Sequence, residues 1–226
     1  MMPGVGAVEQ ECIRQATPQD IEALVDIYIE CFPDRVKEIF GTPPRRTFIR
    51  DYLLFYLSWD PLGNWVYVRD DTVMGFVMIP GRYAPWRAML AHGQLFRWMW
   101  HFLTGAYGLP LHLVKQFVRG GFRFSSDPAI KRLWGRPYIH LIAVRGADQA
   151  RPSRGLLGSG RRLLQWALAE QCKRGANCCW AVVQPTGARF IPIWKRTGFK
   201  IVPLSNGESL ALWGNVDDHM GHPEWR

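Results

Sequence analysis

The sequence predicts an α/β fold for this chain of 226 residues, and three observations carry that prediction. Residues 12–16 predict a short first strand, which is followed at once by an amphipathic helical pattern. Apolar runs on both sides of Asp70 and Asp71 predict a β-hairpin. The apolar run 138–144 predicts a strand that leads into a glycine-rich turn at 158–160, where a second amphipathic helix begins.

The other elements follow from local signals along the chain. Thr17 is a suitable helix N-cap and Pro18 suits the first turn, so the first helix begins there and ends near Pro33. The remaining predicted elements are a helix at 45–59, a turn at 60–63, strands at 65–68 and 73–79, a helix at 160–173, a strand at 178–184, a helix at 188–197 and a final hairpin around 205–208.

Composition indicates one globular domain that spans residues 1–226 and is large enough for a sizeable core. The chain is 48% hydrophobic and 21% charged, which is typical of a globular protein. Its net charge of +9 indicates either a basic surface alone or an anionic ligand, partner or membrane face. No nucleic-acid-binding motif accompanies the charge, so the sequence gives no support to a nucleic-acid partner.

Cysteine usage and the first ten residues predict a reducing, cytoplasmic setting. The five cysteines are an odd number without zinc-site spacing, and residues 1–10 lack the regions of a signal peptide. No charge-free apolar run reaches the length of about 18 to 20 residues that a membrane span needs. The histidines at 92, 101 and 112 lack ligand spacing, so we expect no metal site.

The glycine-rich turn predicts an anion site. Gly158 and Gly160 let the backbone approach a phosphate closely, and the first amides of the following helix have no partner inside that helix. The helix dipole adds partial positive charge, and Arg154, Arg161 and Arg162 add full charges. A Gly-x-Gly sequence before a helix is equally compatible with a purely structural turn.

The same region resembles the GNAT superfamily of acyl-CoA-dependent N-acyltransferases. The family pattern has a strand that ends in Val, a glycine turn on the CoA pyrophosphate, a helix with a Leu-Leu pair and, later, a Gly-Phe pair. The matching residues in this sequence are Val144, Gly158, Gly160, Leu163, Leu164, Gly198 and Phe199. Gly155 stands where the family has arginine, and the segment 145–153 is longer than usual.

The resemblance implies a central, mostly antiparallel sheet with helices on both faces, and acetyl-CoA or another acyl-CoA as co-substrate. It implies that the main chain of Ile142, Ala143 and Val144 binds the pantetheine arm and that a turn binds the pyrophosphate. The turn residues are Arg154, Gly155, Gly158, Ser159, Gly160 and Arg161. Trp194 stands where the family has its usual tyrosine acid; indole has no titratable proton, so we expect Trp194 to pack against the pantetheine arm.

The strand 138–144 supplies the candidate catalytic residues, His140 and Tyr138. Alternation along a strand predicts that Tyr138, His140 and Ile142 share one face. His140 has an ordinary pKa of about 6.5, which suits a general base near neutral pH, and Tyr138 would position water or substrate. The pair Cys178 and Cys179 has no flanking base, which argues against a cysteine nucleophile.

Residues 81–137 form a predicted helical insertion, rich in aromatic residues, leucine and arginine and with one acidic residue, Asp127. It either enlarges the core, covers an apolar acyl or acceptor pocket, or contacts a membrane.

The leading functional prediction is transfer of an acyl group from acyl-CoA to a small-molecule amine. One alternative is transfer of a long acyl chain from CoA or from acyl carrier protein. The other is a domain that binds acyl-CoA without turnover. The sequence predicts no oligomeric state.

Overall fold

The computed structural model describes residues 10–40, 45–82, 89–107, 128–146, 158–204 and 207–214. The first half of the chain contains β1 Glu11–Gln15, α1 Ile21–Cys31, α2 Pro33–Phe40, α3 Arg46–Trp59, β2 Asn64–Arg69 and β3 Thr72–Met78. The second half contains α4 Gln94–Leu103, α5 Pro128–Leu133, β4 Leu141–Val144, α6 Ser159–Lys173, β5 Cys178–Val183, α7 Ile191–Arg196, β6 Lys200–Pro203 and β7 Ser209–Gly214.

The predicted start of the first helix is confirmed, with a short 3₁₀ turn at Pro18–Asp20 before α1. The amide and the hydroxyl of Thr17 both bond to the Asp20 carboxylate, at 2.8 and 2.9 Å. Arg14 binds the same carboxylate through both of its terminal nitrogens, at 2.8 and 2.7 Å. Orphan donors at the helix start are therefore satisfied locally, and β1 is tied to α1.

The predicted hairpin is also confirmed. Asp70 and Asp71 join β2 to β3 with φ angles of 47° and 59°. Two successive residues in this left-handed region form the kind of tight turn whose twist suits adjoining antiparallel strands. The two strands of this hairpin, β2 and β3, are the central strands of the first sheet.

In the described ranges, seven strands form two antiparallel sheets, with strand orders β1-β2-β3-β4 and β5-β7-β6. One isolated parallel bridge, between Tyr138 and Trp180, connects the sheets. Helices α1 and α3 cover one face of the first sheet, where Phe76 and Met78 lie in the core. Helix α6 covers the other face, against Val77. This arrangement confirms the predicted α/β class with antiparallel sheets and helices on both faces.

The helix α2 was not among the elements that the sequence predicted. The sequence predicts the end of the first helix near Pro33, but Pro33 occupies the first position of a new helix. Proline is favoured at that position because its fixed φ suits a helix and its missing N–H would be unpaired there anyway. The break at Phe32, whose φ and ψ are −128° and 51°, turns the chain so that α2 follows α1 directly.

The described part of the predicted insertion packs on α3. Phe48 of α3 contacts Trp98, Phe102 and Tyr107, with ring centroids 5.5, 5.4 and 4.8 Å away. The opposite face of α4 exposes four large apolar side chains at helical spacing, which are Phe96, Met99, Trp100 and Leu103. In the described ranges, no helix has both the length and the apolar character that would let it cross a membrane.

We expect Tyr107→Phe to lower the free energy of unfolding by about 1 to 3 kcal/mol. The Tyr107 hydroxyl donates to the carboxylate of Asp51, which is only 5% exposed and also binds Arg97 at 3.2 Å. Removing the hydroxyl leaves a buried carboxylate oxygen without that donor. Urea unfolding measures the loss, and Leu103→Ala, at a side chain that is 77% exposed, is the control that should stay near wild type.

Candidate active site

A gap opens between the two sheets where β4 and β5 part. Before the gap, the Ile139 amide donates to the Trp180 carbonyl at 2.8 Å, and the Trp180 amide donates to the Pro137 carbonyl at 3.1 Å. After it, β4 is the edge strand of its sheet and pairs only with β3 in the part of the chain that the structure describes. A main-chain edge without a neighbouring strand can accept an extended ligand.

The main chain of β4 alternates between β3 and this gap. The Arg145 amide donates to the Met74 carbonyl at 2.9 Å, in the same register that pairs Ala143 with Phe76. In an antiparallel pair every second residue bonds to the partner strand, so Ala143 directs its amide and carbonyl to β3. Ile142 directs its own toward the gap. The alternation thus takes Ala143 out of the predicted set of pantetheine hydrogen-bonding residues and leaves Ile142 and Val144 as candidates.

His140 does not share a face with Ile142, which corrects the prediction from simple alternation. The His140 amide donates to the Met78 carbonyl at 2.8 Å, while Leu141 is the residue paired with Met78 in the strand register. Two residues therefore oppose one, which is the definition of a β-bulge, and a bulge redirects the side chains before it. His140 consequently lies against α3, whereas Ile142 packs on the opposite side of the sheet, the side that α6 covers.

Two tyrosines of α3 hold the His140 ring. The Tyr52 hydroxyl lies 2.5 Å from Nε2 of His140. The Tyr56 ring stacks on the imidazole, with centroids 3.8 Å apart and planes 19° apart. Nδ1 of His140 is buried and has no hydrogen-bond partner among the described residues. The ring is thus held in one orientation by a hydrogen bond at Nε2 and by stacking.

Burial holds the pKa of His140 well below its ordinary value of 6.5, and the positive charge of Arg35 lowers it further. The imidazole is therefore neutral at neutral pH. This finding corrects the prediction of a base that titrates near neutral pH, because the sequence could not show either the burial or the nearby arginine. Burial also raises the pKa of Tyr52, so that hydroxyl keeps its proton.

Arg35 of α2 is the charged group of this cluster. Burial works against its charged form, but the surrounding tyrosines, 28, 52, 138 and 56, act in the opposite direction, and the pKa of Arg35 lies above its ordinary value. Its Nε atom is buried and lacks a hydrogen-bond partner in the described ranges. An arginine without a carboxylate partner among the described residues suits recognition of an anion.

The helix α6 begins beside the carboxyl end of β4, as the anion-site prediction requires. The Arg161 amide donates to the Gly158 carbonyl at 2.8 Å and closes the first turn. A Cβ on Gly160 would stand 3.6 Å from a Val144 methyl group, so this turn lies against the last residue of the strand. Four residues of strand, about 13 Å, separate Val144 from His140. A ligand could therefore reach from the helix N-terminus to His140 along β4.

The arginines near this turn differ in their contacts. Nε atoms of Arg145 and Arg161 are buried and lack hydrogen-bond partners among the described residues. Arg162, by contrast, pairs with Glu11 of β1 at 2.5 Å and so belongs to a surface ion pair. Arg154 and Gly155, both predicted to bind the cofactor, lie outside the described residues, while Ser159 is buried in the first turn.

Tyr138 and Trp194 pack as parts of the core. Tyr138 contacts Trp180 at a centroid distance of 4.5 Å and lies 5.7 Å from the His140 ring. Trp194 is 9% exposed and meets Phe199 edge-on at 4.8 Å. Tyr138 thus remains near the predicted base, and contact of Trp194 with a pantetheine arm stays a prediction.

The cysteines of this region are protonated thiols. Burial raises the pKa of Cys31 to about 11, and its Sγ donates to the Val144 carbonyl at 3.2 Å. Cys178 and Cys179 are both buried, and burial raises the pKa of both thiols, so the structure gives no support to a cysteine nucleophile here. Within the described ranges, no three histidine, cysteine or acidic side chains come together as a metal-binding group.

Solved structures of other proteins share this fold. SsHAT is 15% identical with a TM-score of 0.62, over 91% of this chain and 98% of that one. PaiA N-acetyltransferase from Thermoplasma acidophilum, in complex with coenzyme A, is 12% identical with a TM-score of 0.54, over 91% and 99%. The yncA protein from Salmonella typhimurium, with acetyl-CoA, is 17% identical with a TM-score of 0.52, over 93% and 96%.

These similarities confirm the predicted GNAT acetyltransferase fold. No protein-family model matches the sequence. No curated protein sequence matches it either.

Sequence reasoning missed three residues of the site, which are Arg35, Tyr52 and Tyr56. All three lie on the helices α2 and α3, and none belongs to a motif. Tyr52 and Tyr56 are four residues apart, which puts them on one face of the predicted helix. This spacing is the sequence feature that could have indicated them. Arg35 gave no signal, because the sequence analysis placed no helix there.

Proposed function

We propose that this chain is an acyl-CoA-dependent N-acyltransferase that acts on a small-molecule amine. The proposal rests on its GNAT fold and on the site described above. The observation that carries the proposal is the open edge of β4, which runs from the N-terminus of α6 to the His140–Tyr52 pair. The likeness to proteins crystallised with coenzyme A or acetyl-CoA supports an acyl-CoA co-substrate.

In this proposal the acyl-CoA binds along β4. The first amides of α6, with Arg161 beside them and Arg154 as a predicted contributor, bind the pyrophosphate. The main chain of Ile142 and Val144 bonds to the pantetheine arm. The thioester then lies at the bulge next to His140, where the amine attacks its carbonyl carbon, the C–N bond forms and the C–S bond breaks.

The proton leaves the attacking amine through the Tyr52–His140 pair. The Tyr52 oxygen accepts the proton as its own proton moves to Nε2 of His140, over the 2.5 Å contact between them. The resulting imidazolium is acidic because burial and Arg35 disfavour it. A thiolate with a pKa of about 8.5 readily accepts that proton, so the pair supplies the acid that Trp194 cannot.

A longer acyl group is the second candidate, and the exposed apolar face of α4 favours it. Phe96, Met99, Trp100 and Leu103 expose apolar surface beyond what packing on α3 uses. This surface would suit a long-chain acyl-CoA, an acyl carrier protein or a membrane surface. The basic composition of the chain would also suit these anionic partners.

Calorimetry with acetyl-CoA and an assay of CoA release with a panel of primary amines test the main proposal. We expect tight acetyl-CoA binding and CoA release that depends on the amine. Acetyl-CoA binding without release for any amine would contradict enzymatic transfer, and absence of acetyl-CoA binding would contradict the site.

The described insertion helix gives a prediction about acyl length. If α4 contacts a long acyl chain, octanoyl-CoA should protect its peptide bonds from limited proteolysis more strongly than acetyl-CoA does. If α4 contacts a membrane, anionic vesicles should protect it without CoA, and salt should reverse that protection. Leu103→Glu, on the exposed face, is the matched variant that should lose either effect.

A further inference from the structure

Arg35 has no acidic partner in the part of the chain that the structure describes. Several other described arginines form ion pairs with carboxylates, among them Arg14, Arg46, Arg50, Arg97, Arg162 and Arg174. Arg35 is half-buried, yet it forms no ion pair in the described ranges, and its buried Nε has no hydrogen-bond partner there.

The neighbours of Arg35 cannot neutralise it. The groups that interact electrostatically with the guanidinium are four tyrosines and His140. Burial raises the pKa of Tyr28 and of Tyr52, so both hydroxyls stay neutral at neutral pH. A partly buried charge without a counter-charge destabilises the unliganded protein, and a bound anion would remove that penalty.

The position of Arg35 indicates that an anion bound there belongs to the acceptor substrate. The cluster is continuous, because Tyr28 lies 6.3 Å from Tyr52 by ring centroids and Tyr52 touches His140. An anion on Arg35 therefore lies beside the pair that takes the proton from the attacking amine. A planar guanidinium matches a carboxylate with two parallel hydrogen bonds, whereas a phosphate dianion would call for a second cation.

We propose that Arg35 binds a carboxylate of the acceptor, so that the substrate class is amines that carry a carboxylate, as amino acids do. This inference rests on the proposed acyl transfer and names its substrate class. The phenolic hydroxyls around Arg35 add donors to the carboxylate, and the amine of the same molecule then faces the thioester.

The first test compares acceptors that differ only in the carboxylate. CoA release from acetyl-CoA by the full chain is measured with three pairs: lysine and cadaverine, tyrosine and tyramine, and β-alanine and ethylamine. We expect kcat/KM for the acid of the preferred pair to exceed that of its amine by at least about tenfold, mainly through KM. Arg35→Gln should remove the preference, and Arg35→Lys, which keeps the charge without the fork, should retain part of it. Equal values within every pair, or an unchanged preference in Arg35→Gln, would overturn the proposal.

The second test needs no turnover. The pKa of His140 is followed by NMR of its ring protons in wild type and in Arg35→Gln, with and without sodium propionate. Propionate should raise the pKa of His140 in wild type, since it neutralises Arg35, and should have no effect in Arg35→Gln. No effect in wild type, or an equal effect in both proteins, overturns the carboxylate site. A propionate effect through Arg35 together with no CoA release for any amine would support the carboxylate site while contradicting the proposed acyl transfer.

Discussion

Gly160→Asp should weaken acetyl-CoA binding by at least about 100-fold at unchanged thermal stability. The substitution puts a carboxylate in the first turn of α6, where the proposal places the pyrophosphate, and charge-assisted hydrogen bonds there contribute about 1.5 to 3 kcal/mol each. The side chain itself can be accommodated, because a Cβ at this position meets the Val144 methyl at 3.6 Å, an ordinary contact. Titration calorimetry measures the affinity, and circular dichroism checks the fold.

Two matched variants separate the site from general effects. Gln165→Asp adds the same charge at an exposed position further along the same helix, and we expect nearly wild-type affinity. Gly160→Ala adds only a methyl group, and we expect an intermediate loss, because the group limits how closely a phosphate approaches. Equal affinity of Gly160→Asp and Gln165→Asp would mean that CoA binds elsewhere.

His140→Ala should lower kcat by about 10²- to 10⁴-fold, the range typical of a lost general base. In wild type the neutral imidazole is the active form, and its pKa lies well below 6.5. The turnover rate should therefore stay constant from neutral pH to below pH 6.5. It should fall only where the pH approaches the lowered pKa of His140. His140→Ala should lose this acid limb.

The charge of Arg35 sets the direction of a further shift. Arg35→Gln removes a positive charge that disfavours the imidazolium, so the acid limb should move to higher pH. Tyr52→Phe keeps the ring and removes only the hydroxyl, and it should lower kcat nearly as much as His140→Ala. His92→Ala, in the insertion and packed on Trp59, is the histidine control that should leave the profile unchanged. An acid limb at or above pH 6.5 in wild type would contradict the assigned role.

The elements that sequence reasoning recovered are those with signals inside one short segment. The Asp70-Asp71 turn, the Thr17 helix start and the Gly158–Gly160 turn each depend on the conformational preference of a few adjacent residues. The helix at Pro33–Phe40 was missed because proline has two local meanings, as the end of one helix or the first residue of the next. The contacts of Phe32 and Val36 with the core, which the sequence does not show, decide between them.

The sequence by itself determined the α/β class, the order of strands and helices, and His140 as a residue near the gap. Tertiary structure alone decided which way His140 points, because the extra residue opposite Met78 breaks the period of two on which alternation depends. It also decided what surrounds His140. Arg35, Tyr52 and Tyr56 come from helices separated from β4 by about a hundred residues of sequence. Burial in the folded chain and the charge of Arg35 together lower the pKa of His140.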